Sequence, residues 1–297
     1  MFASSDKVFK ENRLGFFMKR KGKVSKVVRK ASKPVKKVSA KDKYKQEYLK
    51  LGINGFDKLS KQGIPEGSAV IVEGSPGSGK TIFCLNILKN MCERKKKVLF
   101  MSFEEPEDRL RSHLTTFGAD VDRYEKEGNL MIKRFNALDI SRSVEALLSE
   151  AKKELLIDVQ PVLIPIDFKP DIVLIDSLTS IGSAFTGESN RFRTYMEQLF
   201  RYLEGHDITS FLIRETVTPG HSGNGRGGQG DAVSFLSDGI IVMYNVFYRD
   251  GGHRKRAVEI LKMRGAEIER KIVEFDIKAG KGFVVSSKNL TGKYTLT

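Results

Sequence analysis

The sequence predicts an α/β protein: a mainly parallel, twisted sheet with helices on both faces and antiparallel strands at its C-terminal edge. Short apolar runs of strand length alternate with helical segments between residues 68 and 214, which is the chain order of a parallel sheet covered on both faces. A glycine-rich turn joins the first of these strands to the first helix. Residues 254–285 instead alternate β-type residues with no helical segment between them, which favours antiparallel strands.

The individual elements follow from these patterns in chain order. The predicted strands span residues 68–73, 98–103, 129–135, 171–176, 207–214 and 239–244, and the predicted helices span residues 80–94, 106–114, 140–155 and 191–203. The strands are short runs rich in large apolar residues, whereas the helices carry apolar residues at helical spacing. Three prolines within residues 157–170 predict an irregular insertion.

Length and composition indicate one large folded domain with a tail at each end. The chain has 297 residues, and we place the domain at residues 48–285, between a basic tail at residues 1–47 and a polar tail at residues 286–297. Two cysteines provide no disulfide framework and fit a reducing, cytoplasmic location. No apolar run approaches the roughly 18 residues of a membrane span.

Positive charge is concentrated at the N-terminal end. Residues 1–50 contain 17 basic and 4 acidic side chains, a net charge of +13 out of +15 for the whole chain. This segment has too few large apolar residues to offset the entropy cost of ordering. It either binds nucleic acid or another anionic surface by charge, or serves as a solubilising extension. A transit peptide fits less well, because those peptides favour Arg and Ser over Lys.

One eight-residue segment carries the strongest functional signal, since it matches the phosphate-loop pattern G-x-x-x-x-G-K-[ST] between a strand and a helix. It consists of Gly74, Ser75, Pro76, Gly77, Ser78, Gly79, Lys80 and Thr81, and Ile82 follows it. The glycines let backbone N–H groups point at phosphate oxygens, and the helix N-terminus adds partial positive charge. We expect the lysine to reach the β- and γ-phosphates of ATP and the threonine hydroxyl to bind Mg²⁺.

Carboxylates at the ends of two other predicted strands complete the expected site. Asp176 ends an apolar strand beside the phosphate loop, where we expect it to hold Mg²⁺ through a water molecule. Glu104 and Glu105 follow the strand at residues 98–103, at the strand end where such sheets bind ligands. We expect one of them, with a preference for Glu105, to orient the water that attacks the γ-phosphate. Capping of the helix that begins near Pro106 would explain one glutamate equally well.

These motifs together resemble the KaiC and RadA branch of the RecA-type ATPases. The resemblance rests on residues 52–57 and 63–68, the phosphate loop, Ser102-Phe103-Glu104-Glu105, Asp176-Ser177-Leu178-Thr179 and Leu261-Lys262-Met263-Arg264-Gly265, in that order. It implies a RecA-type P-loop NTPase core with Mg²⁺-dependent binding and hydrolysis of ATP. It also implies assembly of identical copies into a ring or filament, usually of six subunits, with ATP between neighbours.

In the KaiC-like members, a Lys-x-Arg pair on a late strand reaches the γ-phosphate of the neighbouring subunit. The resemblance implies this role for Lys262 and Arg264, which a strand would place on one face, and a γ-phosphate-sensing role for Glu215. A basic strand edge that discourages aggregation would also explain the pair. The chain departs from the circadian clock protein, which has two such domains, and from the recombinases, which carry an N-terminal helix–hairpin–helix domain instead of a basic tail.

Residues 220–230 contain six glycines in eleven positions, so we predict no regular structure there. The segment corresponds to a DNA-binding loop of the RecA-type recombinases, and Arg226 and His221 offer phosphate contacts. A flexible loop at the pore of a ring, or a gate that orders with ATP, is the alternative. Three functions stay open: a recombination or repair accessory that couples ATP to DNA binding, an ATP-driven signalling or assembly switch, and a nucleotide-binding module with negligible turnover.

Overall fold

The computed structural model describes residues 45–151, 164–165, 167–185, 187–216, 229–249, 253–278 and 280–297. Residues Gln46–Thr297 belong to one compact unit. Its strands are β1 (Tyr48–Leu49), β2 (Ile64–Pro65), β3 (Ala69–Gly74), β4 (Val98–Ser102), β5 (Leu130–Arg134), β6 (Ile172–Asp176), β7 (Thr209–Glu215), β8 (Gly239–Tyr248), β9 (Arg254–Met263), β10 (Val273–Lys278), β11 (Gly282–Asn289) and β12 (Tyr294–Leu296). Its helices are α1 (Lys80–Glu93), α2 (Glu107–Thr116), α3 (Val121–Lys126), α4 (Ala137–Ala151), α5 (Leu178–Ser183), α6 (Ser189–Gly205) and α7 (Gln229–Leu236).

Ten strands of the described residues form one mixed sheet in the order β11-β10-β9-β8-β3-β7-β6-β4-β5, with β12 paired to β8 outside this path. The strands from β8 to β5 pair in parallel. The strands β9, β10 and β11 continue the sheet in antiparallel pairs. The predicted fold class is therefore confirmed.

Helices cover both faces of the parallel part. Val70 and Val72 of β3 pack in one core with the apolar side of α1, α2 and α3. Ile71 of the same strand packs in a second core with α4, α5, α6 and α7. Because both faces are buried, the central strands are apolar at nearly every position, which made them the easiest elements to predict. The six-residue helices α3 and α5 were not predicted, since each is too short to display a helical period.

The predicted polar tail at residues 286–297 is wrong. Strand β11 extends through Asn289, and β12 pairs antiparallel with the end of β8, with Tyr294 opposite Tyr248. The β8 strand continues four residues beyond the predicted end at residue 244, which leaves a free edge beyond β3 that β12 fills. Tyr294 and Leu296 pack against a small apolar cluster on β8 and β9. The segment appeared polar because these edge strands bury only part of their side chains.

Two irregular segments were predicted, and both lie largely outside the described residues. Residues 157–163 and 166 of the predicted insertion are among these, while Ile164, Phe168 and Pro170 are buried without belonging to a helix or strand. Residues 220–228 of the glycine-rich segment and residues 1–44 of the basic tail are also outside. Gln229 and Gly230 were predicted to be irregular, but they form the start of α7. No helix among the described residues is long and apolar enough to cross a membrane.

Candidate nucleotide site

Four loops meet at the carboxyl ends of the parallel strands. The phosphate loop follows β3, Glu104 and Glu105 follow β4, Asp176 ends β6 and Glu215 ends β7. The strand register brings these groups level, since Gly74 lies directly opposite Glu215. They line a cavity of about 360 Å³, which is within the size range of small-molecule sites. The structure therefore brings the predicted phosphate, metal and water-orienting residues together.

The ammonium group of Lys80 is held inside the phosphate loop. Its Nζ donates a hydrogen bond of 3.0 Å to the Ser75 carbonyl and lies 3.6 Å from a carboxylate oxygen of Glu215. The side chain is only 6% exposed. Burial lowers the pKa of Lys80, and the negative charge of Glu215 partly opposes that effect. A partly desolvated cation at the base of the cavity is well placed to attract an anion.

The eight residues of the motif do not all face the cavity. The members that line it, together with the next residue, are Gly77, Gly79, Lys80, Thr81 and Ile82. Ser75 and Ser78 are buried within the loop, and Pro76 borders a neighbouring cavity. A Cβ atom at Gly74 would overlap the Met243 carbonyl oxygen, so this position requires glycine.

Two residues that the sequence did not single out hold the loop from the antiparallel side. Asn245 of β8 donates to the Ser75 hydroxyl at 2.9 Å and to the Pro76 carbonyl at 3.2 Å. Arg256 of β9 donates to the Gly77 carbonyl at 3.1 Å and lines the cavity. A polar Asn in the otherwise apolar run of β8 was the one available signal. Nothing in the sequence showed that β9 would lie beside β8 in the register that brings Arg256 to the loop.

Thr81 and Asp176 offer two oxygen atoms at one place. The Thr81 hydroxyl donates to Asp176 Oδ2 at 2.8 Å. Neighbouring ligands of an octahedral Mg²⁺ ion at 2.0–2.1 Å are about 2.9 Å apart, so this pair fits such an ion. The described residues contain no group of three or more His, Cys, Asp or Glu side chains arranged to hold a metal. With nucleotides, Mg²⁺ usually takes several of its ligands from phosphate and water.

Burial raises the pKa of Asp176 to about 6, against the hydrogen bond from Thr81, and the negative charge of Glu104 adds to the rise. The ordinary pKa is 3.8. Because the folded state binds this proton more tightly than the unfolded state, ionisation of Asp176 destabilises the metal-free fold as pH rises from about 4 to above 6. At one pKa unit per 1.36 kcal/mol, the full cost is about 3 kcal/mol.

We therefore expect Asp176→Asn to raise the thermal unfolding temperature of the metal-free and nucleotide-free protein at pH 8. The corresponding gain in the free energy of unfolding is up to about 3 kcal/mol. The gain should be small at pH 4, where the folded-state aspartate is almost fully protonated and the unfolded-state aspartate is only about half ionised. Calorimetry in the presence of EDTA measures both values. The exposed Asp122→Asn substitution serves as the control. An equal shift at pH 4 and pH 8 would exclude the charge of Asp176 as the cause.

The two glutamates have different surroundings. Glu104 accepts hydrogen bonds from the hydroxyls of Ser177 and Ser180, at 2.5 Å and 2.9 Å. For Glu105, the Oε2 atom is buried and accepts no hydrogen bond from the part of the chain that the structure describes. His113 Nδ1 lies 3.7 Å from that oxygen and borders the same cavity. Glu104 is thus fixed by its neighbours, whereas Glu105 has a carboxylate oxygen without a hydrogen-bond partner among the described residues.

Lys262 and Arg264 do not reach this cavity. Lys262 is the second-last residue of β9, and Arg264 directly follows that strand. Lys262 lies opposite Ile240, which pairs with Ile71 near the start of β3. Three residue steps separate Ile71, with which Lys262 is level, from Gly74 along β3, which is about 10 Å at about 3.3 Å per residue. The predicted Lys-x-Arg pair therefore lies towards the amino-terminal ends of the parallel strands, whereas the phosphate loop of its own chain lies at their carboxyl ends.

The strand–phosphate loop–helix unit, with a carboxylate at the end of a buried strand and a mixed sheet of this order, defines a phosphate-loop NTPase with a RecA-type core. Comparison with known families extends this assignment. The sequence profile of the KaiC ATPase family matches residues 49–289. The chain belongs to this family and carries a KaiC-type, ATP-binding ATPase domain.

Individual relatives agree with the family assignment. The chain is 28% identical over 246 residues to the circadian clock protein KaiC3 of Synechocystis sp., covering 80% of this chain and 45% of that protein. It is 30% identical over 240 residues to a UPF0273 protein of Pyrococcus furiosus, covering 80% of this chain and 93% of the relative. It thus spans less than half of the clock protein but nearly all of the archaeal one.

A solved structure is similar over the same region. The crystal structure of a KaiC-like protein from Pyrococcus horikoshii superimposes with a TM-score of 0.64 at 27% sequence identity. The match covers 82% of this chain and all of that one. The similarity therefore supports a RecA-type core of the KaiC kind.

Proposed function

We propose that the protein hydrolyses ATP in the cavity at the carboxyl ends of β3, β4 and β6. The observation that carries this proposal is the convergence of Lys80, the Thr81–Asp176 pair and the two glutamates on one cavity. Lys80 would bind the β- and γ-phosphates, while Thr81 and Asp176 would hold Mg²⁺, whose charge would offset that of the phosphate oxygens. Glu105 would accept a hydrogen bond from the attacking water, with Glu104 in support.

We further propose that the site is completed by a second copy of the chain in a ring or filament, with a hexamer as the expected ring. Lys262 lies about 10 Å along the sheet from its own phosphate loop, and Arg264 lies further away, which supports action on a neighbour's γ-phosphate rather than on their own. Two cations at that position would stabilise charge that develops on the transferred phosphoryl group. Glu215, paired with Lys80, would respond to the presence of the γ-phosphate.

The glutamate assignment predicts unequal effects of two conservative substitutions. Glu105→Gln should lower kcat by about 100-fold or more, because an amide is a far poorer proton acceptor than a carboxylate. Glu104→Gln should lower kcat by only about tenfold, since the amide oxygen can still accept the serine hydrogen bonds. Steady-state phosphate release at saturating Mg-ATP measures both.

The control for this experiment is Glu197→Gln, which replaces a glutamate on α6 that pairs with Arg193 away from the cavity. Its turnover should match the unmodified protein. Unchanged kcat in both Glu104→Gln and Glu105→Gln would refute the assignment. No turnover in the unmodified protein, with ATP binding retained, would favour a nucleotide-binding module instead.

A second function, DNA binding coupled to ATP, is proposed because of the charge distribution. The net charge of +13 on residues 1–50 would release counterions from nucleic acid, so binding to single-stranded DNA should weaken steeply between 50 mM and 200 mM salt. Residues 220–230 would supply additional backbone contacts. Deletion of residues 1–45 should abolish most of this binding in a filter assay. Equal, salt-independent binding of DNA by the full chain and by the chain lacking residues 1–45 would contradict the charge mechanism. Absence of DNA binding in both would favour an ATP-driven assembly switch in the cytoplasm.

A further inference from the structure

The cations of Lys262 and Arg264 are held by the C-terminal end of α7. Lys262 Nζ donates to the backbone carbonyls of Ser234 at 3.1 Å and Ser237 at 2.6 Å. Arg264 donates to the carbonyl of Phe235 at 3.1 Å. The carbonyls at a helix C-terminus carry partial negative charge and attract cations. The position of both cations therefore depends on this helix end, and that of Arg264 depends also on its ion pair of 3.4 Å with Asp238, two residues after α7.

A half-buried arginine contacts the same helix end from the side of the sheet. Arg214, near the end of β7, forms an ion pair with Glu73 of β3. The two side chains are only 16% and 7% exposed, so this pair is little screened by water. The same guanidinium group also donates to the Ser234 hydroxyl at 2.8 Å. Arg214 thus connects the rigid centre of the sheet to the residue whose carbonyl binds Lys262.

We infer that Arg214 is a positioning residue that acts through Ser234: it fixes the end of α7 so that this chain presents Lys262 and Arg264 to the neighbouring copy. The inference rests on the proposed function, since it requires the two cations to act on a neighbour's ATP. The planar guanidinium can bind the Glu73 carboxylate and the Ser234 hydroxyl at the same time in a fixed geometry, which a lysine cannot reproduce.

One competing explanation has to be separated from this inference. Glu73 directly precedes the phosphate loop, and Arg214 directly precedes Glu215, so Arg214 could instead shape the cavity of its own chain. The two explanations place the defect of an Arg214 variant at different subunit interfaces. Oligomers that contain two kinds of chain distinguish them.

The first experiment removes the hydrogen bond between Arg214 and Ser234 but keeps the ion pair between Arg214 and Glu73. Ser234→Ala removes the hydroxyl but keeps the carbonyl that binds Lys262, and it should lower kcat by about fivefold to tenfold with KM for ATP nearly unchanged. Ser234→Thr should restore most of the activity, because it retains a hydroxyl. Ser210→Ala is the matched control, since the Ser210 hydroxyl is buried on β7 and forms no hydrogen bond within the described residues. Full activity of Ser234→Ala would overturn the inference.

The second experiment uses mixtures with Lys80→Ala, a chain whose own cavity is inactive but whose Lys262 and Arg264 are intact. Arg214→Met chains should be slow alone, yet mixing them with Lys80→Ala chains should raise turnover several-fold, because each Arg214→Met cavity then receives correctly placed cations. Thermal unfolding of Arg214→Met checks that the chain is folded. The absence of any gain on mixing would show that Arg214 acts on its own cavity and would overturn the inference.

A parallel mixture of Lys262→Ala with Lys80→Ala tests the proposed function independently. Recovery in this mixture but not in the Arg214→Met mixture would refute only the role of Arg214. Failure of the Lys262→Ala mixture to recover would refute the contribution of a neighbour's cations, and the inference would fall with it.

Discussion

Replacing Lys80 with alanine should lower the rate of ATP hydrolysis by about 1,000-fold, the upper end of what loss of one group that stabilises transition-state charge costs. The reason is geometric as well as electrostatic. The ammonium group is 6% exposed and already held by the Ser75 carbonyl, so no reorganisation is needed when phosphate binds. Phosphate release at saturating Mg-ATP gives the rate, and the shift in unfolding temperature caused by Mg-ATP reports binding.

The control for Lys80→Ala is Lys61→Ala, which removes an exposed lysine that pairs with Glu267 at the surface. This variant should keep both turnover and the stabilisation by Mg-ATP. If Lys80→Ala retained turnover within about tenfold of the unmodified protein, catalysis would not depend on the charge in the phosphate loop. In that case the cavity would not be the site of hydrolysis.

Replacing Lys262 or Arg264 with alanine should lower kcat by about 1,000-fold while leaving the affinity for ATP nearly unchanged. The effect on kcat should exceed the effect on ATP affinity because the two cations would act on charge that develops during phosphoryl transfer rather than on bound ATP. Both side chains lie at the other end of the strands from the phosphate loop of their own chain. Their contribution to kcat should therefore require contact between copies. Turnover per chain should accordingly rise with protein concentration in the unmodified protein but not in the Lys262→Ala or Arg264→Ala variant.

Lys271→Ala is the control for these two variants, because Lys271 is an exposed lysine in the segment after β9 that pairs with Glu269. Light scattering with and without Mg-ATP should detect assembly in all four proteins. Full turnover of the unmodified protein in a strictly monomeric fraction would contradict the role assigned to the neighbour. It would also leave the positions of Lys262 and Arg264 explained by contacts within their own chain.

Much of the site was predictable because its residues are consecutive or end a strand. The phosphate loop is a contiguous pattern whose glycines and lysine serve one local geometry, so it needed no knowledge of distant contacts. Asp176 and the two glutamates were found because parallel strands bring their carboxyl ends to one edge. The register of β3 with β7 then brought Glu215 level with the loop.

The residues that were missed are those whose roles depend on pairing between distant segments. Arg256 and Asn245 support the loop because β8 and β9 pair antiparallel in one register, with the two residues opposite each other. A shift of β9 by one residue would turn the Arg256 side chain to the other face and away from the loop. His113 lies near Glu105 only because α2 folds back over the cavity. In another strand register or helix packing, each of these side chains would contact different residues.

By itself, the sequence determined the class of the core, the phosphate loop and the carboxylates around it, because hydrophobic period and local backbone geometry are properties of short segments. The tertiary structure alone decided that the chain's last residues complete the sheet, that Arg214 joins β3 to α7, and that Lys262 and Arg264 lie at the other end of the strands from their own phosphate loop. The physical reason is that strand register, burial and charge pairing arise from contacts between residues far apart in the chain.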